Sequence, residues 1–195
     1  MRRTLILAMV TTMFVTVVSA PGWAAQPETF RTSSSMLYAA YSDGPQQVEF
    51  SVGESDDEMG YNFYVNVRLC DYEPAVGPPV CWQDTNTNVV VHDFNVTKKG
   101  GVLDADVEMR SVFDSAAPLR VIRVTAEFTP ADPQVRRATS VNHDSEYGFT
   151  KVTSVSYSDQ SPDTVLQFDE WLIDMPLPSL NYASFNLNSS QVVTK

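Results

Sequence analysis

Helical periodicity is missing from this sequence. No segment beyond the first 25 residues repeats apolar side chains at i, i+3, i+4 and i+7 over three turns. A parallel α/β sheet needs crossover helices, so that class is excluded. Basic charge is scarce too, with 13 Lys and Arg against 24 Asp and Glu and a formal net charge of −11. Binding a phosphate backbone takes clustered cations, so nucleic acid is excluded as a partner. The chain has two histidines, His92 and His143, and two cysteines, Cys70 and Cys81. It carries no H-E-x-x-H, no G-x-S-x-G elbow and no C-x-x-C, so zinc-peptidase, serine-hydrolase and thiol-redox chemistry have no motif to rest on. His92 and Asp93 are sequence neighbours, and neighbours on a strand point to opposite faces, so they cannot form a catalytic couple. No internal repeat or low-complexity linker divides the chain.

The long apolar run lies at the N-terminus. Arg2 and Arg3 precede Leu5 to Val18, a stretch interrupted only by threonines and shorter than the roughly 20 residues of a membrane-spanning helix. Pro21 and Gly22 break it, and the small residues that follow place a signal-peptidase cut after Ala24 or Ala25. Residues 1–25 are therefore expected to be a secretory signal peptide, with 26–195 as one exported domain and no membrane insertion of the mature chain. The arginine pair also suits a twin-arginine signal, but an apolar segment starting at once fits the general secretory route better. No cysteine precedes Cys70 and no hydrophobic tail closes the sequence, so no lipid anchor is expected. The expected location is secreted or extracellular, in the periplasm or at a cell surface. Losing the signal removes two of the 13 basic residues and none of the acids, which moves the formal charge from −11 to −13.

In an oxidising space Cys70 and Cys81 are expected to pair. A bridge over so short a loop stabilises by about 3 kcal/mol through lost chain entropy. Pro74, Gly77, Pro78 and Pro79 make the enclosed segment a bent excursion.

Alternation of period two is the strongest pattern present. Tyr61, Phe63, Val65, Val67 and Leu69 alternate with polar or exposed-type residues, as do Leu103, Ala105, Val107 and Met109, and Ile122, Val124, Ala126 and Phe128. Weaker strands are read at 36–41, 48–52, 90–96, 149–157, 165–173 and 183–187, with turn clusters between them, including one spanning Gly53 to Gly60. Strands with one apolar face must bury it against each other. The expected fold is a single-domain, all-β, antiparallel β-sandwich of about nine strands, jelly-roll or immunoglobulin-like. The short cysteine spacing does not match the antibody type of domain.

Several side chains invite chemistry. Glu54, Asp56, Asp57 and Glu58 offer hard oxygens to calcium, the one cofactor suggested, although they lack the calcium-loop pattern. Asp104, Asp106 and Glu108 share a strand face, and Asp169 and Glu170 stand beside Trp171; paired carboxylates of this kind serve glycoside hydrolysis, and an aromatic can stack on a sugar. A solvated strand face explains the acidic ladder equally well. Asn95-Val96-Thr97 and Asn188-Ser189-Ser190 match the N-glycosylation pattern. Trp82, Tyr72, Tyr147 and Trp171 are the candidate aromatic contacts of a binding site, although Trp82 beside the bridge and Trp171 before Leu172 and Ile173 suit core packing better. The expected function is a secreted non-catalytic binding or interaction module for an extracellular protein or carbohydrate, with a secreted polysaccharide hydrolase and a cell-surface or matrix structural protein as alternatives.

Overall fold

The computed structural model describes residues 28–57, 59–75, 77–144, 148–170, 172–173 and 182–194. The expected signal peptide lies outside the described residues. Among the described residues there are ten strands: β1 (Glu28–Asp43), β2 (Gln46–Asp57), β3 (Gly60–Asp71), β4 (Val80–Thr97), β5 (Gly100–Ser111), β6 (Arg120–Thr129), β7 (Gln134–Asp144), β8 (Gly148–Asp159), β9 (Asp163–Phe168) and β10 (Tyr182–Thr194). They form one antiparallel sheet in the order β7-β8-β10-β1-β2-β3-β4-β5-β6-β9. Among the described residues no helix is long and apolar enough to cross a membrane.

Alternation builds the core. In β5, Leu103, Ala105, Val107 and Met109 are buried while Asp104, Asp106 and Glu108 face outward, and β6 buries Ile122, Val124, Ala126 and Phe128 in the same manner. Each large apolar side chain so buried contributes about 1.5–3 kcal/mol. In a flat sheet β2 and β6 would stand about 19 Å apart, four strand spacings. Instead the rings of Phe50 and Phe128 have centroids 6.2 Å apart. Gly101 of β5 lies so close beneath Leu37 of β1 that a Cβ there would stand 2.7 Å from a Leu37 methyl. The sheet therefore curls over on itself, bringing β5 and β6 across the core from β1 and β2.

This differs from the expected pair of separate sheets. The two halves stay one sheet because β3 and β4 remain joined through four register pairs, Arg68–Gln83, Leu69–Trp82, Cys70–Cys81 and Asp71–Val80. Cys70 and Cys81 are both fully buried and joined by a disulfide across this seam. The loop they enclose, residues 72–79, is the proline-rich excursion read from the sequence.

Beyond the seam the carboxylate of buried Asp84 takes over from the ladder. It accepts a hydrogen bond from the Val67 amide at 2.9 Å and one from the Asn86 amide at 3.2 Å. Asn86 sits at φ 58°, and the register between β4 and β5 slips between Asp84 and Val89. That bulge lets β4 leave β3 and turn the sheet.

Ten strands replace the nine expected. The added one is β7, whose described side chains are exposed on both faces and so have no apolar period to betray them. The turn expected over Gly53 to Gly60 shrinks to its tip, since β2 runs on to Asp57 and β3 starts at Gly60. Gly53 is inside β2 because the Tyr64 ring of β3 lies over it, within 2.7 Å of where a Cβ would be.

Candidate functional site

The disulfide end of the sheet gathers several exposed aromatic and apolar side chains around a fixed frame. Tyr72 follows β3 directly, and its amide donates to the Pro45 carbonyl at 3.0 Å. Its ring meets Phe113 edge-on with centroids 6.2 Å apart, and its hydroxyl accepts from Arg68 Nη2 at 2.9 Å. The segment that presents Phe113 is held by the Val112 amide, which donates to the Cys81 carbonyl at 2.8 Å. Asp114 closes that loop by accepting from the Ala116 amide at 2.9 Å. Phe113 and Leu119 are each 55% exposed and Val112 is 43% exposed. Beside them an open recess of ≈ 450 Å³ is lined by Gln83, Arg110, Val112, Asp114 and Leu119. Gln83, with its amide oxygen turned inward, accepts from both Arg110 Nε and Nη2. The corner thus offers an aromatic edge, an aliphatic floor and two guanidinium groups, all anchored to the stapled seam.

Trp82 lies at the same end but faces inward. It is opposite Leu69 in register and packs, half-buried, against the core. Tyr147 and Trp171 lie outside the described residues. Phe113 is absent from the aromatic contacts expected above, although an apolar Val112-Phe113 pair between Ser111 and Asp114 is a signal for an exposed loop aromatic.

The acidic ladder of β5 projects from the outer face, and each member has a partner. Asp104 accepts from Arg123 Nε at 2.8 Å and Nη2 at 2.7 Å, and this pairing holds its carboxyl below the usual carboxylate range while raising the Arg123 guanidinium. Asp106 meets His92 Nε2 at 2.9 Å. Glu108 accepts from the Thr85 hydroxyl at 3.1 Å and from Asn88 Nδ2 at 3.0 Å. Asp169 accepts from the Arg123 amide at 2.8 Å, and Glu170 pairs with Arg120. These acids form cross-strand ties along a solvated face.

The acids of the β2 tip separate. Glu54 accepts from the Ser35 hydroxyl at 3.3 Å and the Tyr61 hydroxyl at 3.1 Å, and burial together with this carboxylate raises the Tyr61 pKa. Asp57 accepts from the Met59 amide at 2.8 Å, while strand alternation sets its side chain opposite to those of Glu54 and Asp56. Glu58 lies outside the described residues. Among the described residues no three His, Cys, Asp or Glu side chains gather as a metal-ligand set.

Where β8, β10, β1 and β2 lie side by side the sheet is hydroxyl-rich. Ser34 of β1 is opposite Asn188 of β10 and Ser55 of β2, and Asn188 is opposite Ser156 of β8. A recess of ≈ 550 Å³ opens over these residues. Asn188 and Asn95, the two glycosylation-pattern asparagines, are both exposed within strands.

No protein-family model matches the chain, and no curated protein matches it.

Proposed function

We propose that the protein is a secreted, non-catalytic binding module with a doubled, sandwich-like fold that engages an extracellular carbohydrate or protein through the corner formed by Tyr72, Phe113, Val112 and Leu119. The observation that carries this reading is the edge-on Tyr72–Phe113 pair, in which exposed Phe113 rests on half-buried Tyr72 beside the recess and both are fixed to the disulfide seam. Rigid aromatics lose little freedom on binding and supply large contact area, so they suit a recognition surface. The nearby Arg68 and Arg110 add donors for hydroxyl or carboxylate groups. A disulfide is compatible with an extracellular location.

Affinity electrophoresis in native gels containing soluble glucan, xylan or galactomannan tests the carbohydrate arm, and surface capture from an extract of extracellular proteins tests the protein arm. Retardation or capture of the wild-type protein that disappears in Tyr72→Ala/Phe113→Ala, with an unchanged circular dichroism spectrum, is the expected result. Equal behaviour of wild type and double variant in both arms overturns the assignment of the corner. Hydrolysis through Asp104, Asp106, Glu108, Asp169 or Glu170 is the alternative. It would need two of these carboxylates freed from the partners that now hold them, Arg123, His92 and Arg120 or, for Glu108, Thr85 and Asn88, and reducing sugar released by the wild type but not by variants lacking these acids would establish it.

A further inference from the structure

We propose that β7 is a self-association edge, to which a second copy of this chain adds its own β7 in antiparallel register. This surface is separate from the Tyr72–Phe113 corner. β7 pairs with β8 along its whole length, Gln134↔Ser158 to Asp144↔Gly148, without a register shift, and among the described residues no strand pairs with its other side. Alternate backbone amides and carbonyls on that free side are unpaired within the sheet, a ready template for another strand. Sheets usually blunt such an edge with charged side chains, proline, a bulge, brevity or a covering segment, and of these the described residues show only the charges of Arg136 and Arg137. β7 has eleven residues, no proline and no bulge, and its residues from Gln134 to His143 are all exposed. The opposite edge, β9, has only six residues.

Charge along β7 selects the partner. Arg136 and Arg137 stand near its start and Asp144 at its end, in a molecule whose balance is otherwise strongly acidic. Parallel pairing in register would set arginine against arginine. Antiparallel pairing about a two-fold axis at Ser140 sets Arg136 opposite Asp144 of the other copy, twice, and Thr139 opposite Val141. Opposite charges and β-branched residues are the cross-strand pairs that stabilise a ladder, whereas like charges directly opposite destabilise it. The arginines thus act as register marks on an edge left open. A two-fold pairing closes on itself, so the product is a dimer and not a fibre.

Sedimentation velocity of the exported protein over a wide concentration range tests this, with a concentration-dependent dimer as the expected result. Arg136→Asp should raise the dimer dissociation constant about tenfold, and Arg136→Asp/Asp144→Arg should restore it. Of Ala138→Pro and Thr139→Pro, one removes a β8 ladder bond and the other only a free-edge donor. The latter should abolish the dimer while leaving the thermal melt of the monomer unchanged. Ser140→Cys should cross-link to itself under oxidation much faster than Gln134→Cys. A protein that stays monomeric throughout overturns the proposal. So does a dimer indifferent to Arg136→Asp and to both prolines, which would place the contact elsewhere.

Discussion

Replacing Asp84 with alanine should cost about 3 kcal/mol of stability, most of it from one backbone amide. The ladder between β3 and β4 stops at Arg68–Gln83, and the next donor on β3, the Val67 amide, belongs to a residue only 1% exposed. The carboxylate of Asp84 takes that donor at 2.9 Å and also holds the Asn86 amide of the bulge. A hydrogen bond to a charged acceptor contributes about 1.5–3 kcal/mol, and stranding its buried donor adds a desolvation cost of about 1–3 kcal/mol, overlapping with the first. At about 3 °C per kcal/mol for a domain of this size, the melting temperature should fall by about 9 °C. Asp84→Asn keeps an acceptor for Val67 but turns a donor toward the Asn86 amide, so its loss should be near 1 kcal/mol. Urea denaturation gives both values, and hydrogen exchange shows whether the loss is local: protection of the Val67 amide should fall more than that of Val107. An alanine variant within about 0.5 kcal/mol of wild type, the range of ordinary surface changes, would refute the role given to this carboxylate.

Removing the bridge with Cys70→Ala/Cys81→Ala should lower stability by about 3 kcal/mol in urea and leave the far-ultraviolet spectrum of the folded state intact. Gly101→Ala should cost about 1–3 kcal/mol by pushing a methyl into Leu37, and Leu37→Val in the same chain should recover part of it, a coupling visible only if the two halves face each other. Arg123 depresses the Asp104 carboxyl, so the stability from this pair is present above the unfolded carboxylate pKa and is lost as pH falls through the lower folded value. Titration by nuclear magnetic resonance should show the Asp104 carboxyl moving up toward the ordinary range in Arg123→Ala, and acid unfolding of that variant should depend less on pH.

Strands that bury one face are legible in the order of residues alone. β5 and β6 announce themselves through alternation because every second side chain enters the core, and β3 does so from Val65 to Leu69, although Tyr61, on the same face of the pattern, is exposed. β7 is silent because solvent covers both of its faces, and so is the first half of β1 because Thr32, Ser33, Ser34 and Ser35 carry no apolar signal. The start of β4 resembles part of the stapled loop, since Cys81 and Trp82 follow three prolines and their pairing with β3 depends on residues ten or more positions away. The cysteine pair needs only composition and compartment. The partners of Asp104, Asp106 and Glu108 need the β4–β5–β6 register, which local sequence does not encode, and the Tyr72–Phe113 pair joins two loops 41 positions apart.

The position of β10 has a consequence for the order of assembly. This strand, the last along the chain, lies between β1, the first, and β8, with Glu28 opposite Thr194. A chain synthesised from its N-terminus can therefore complete the β1–β2–β3 and β4–β5–β6 meanders early, yet the β7–β8 hairpin has nothing to hold until β10 arrives. Until then β1 and β8 each present a bare edge, and β10 is the keystone that closes both at once. A nascent chain stalled short of residue 182 would leave β1 and β8 bare together with β7, whereas among the described strands of the finished molecule β7 is the long open edge, so the hazard of mispairing peaks just before β10 is made.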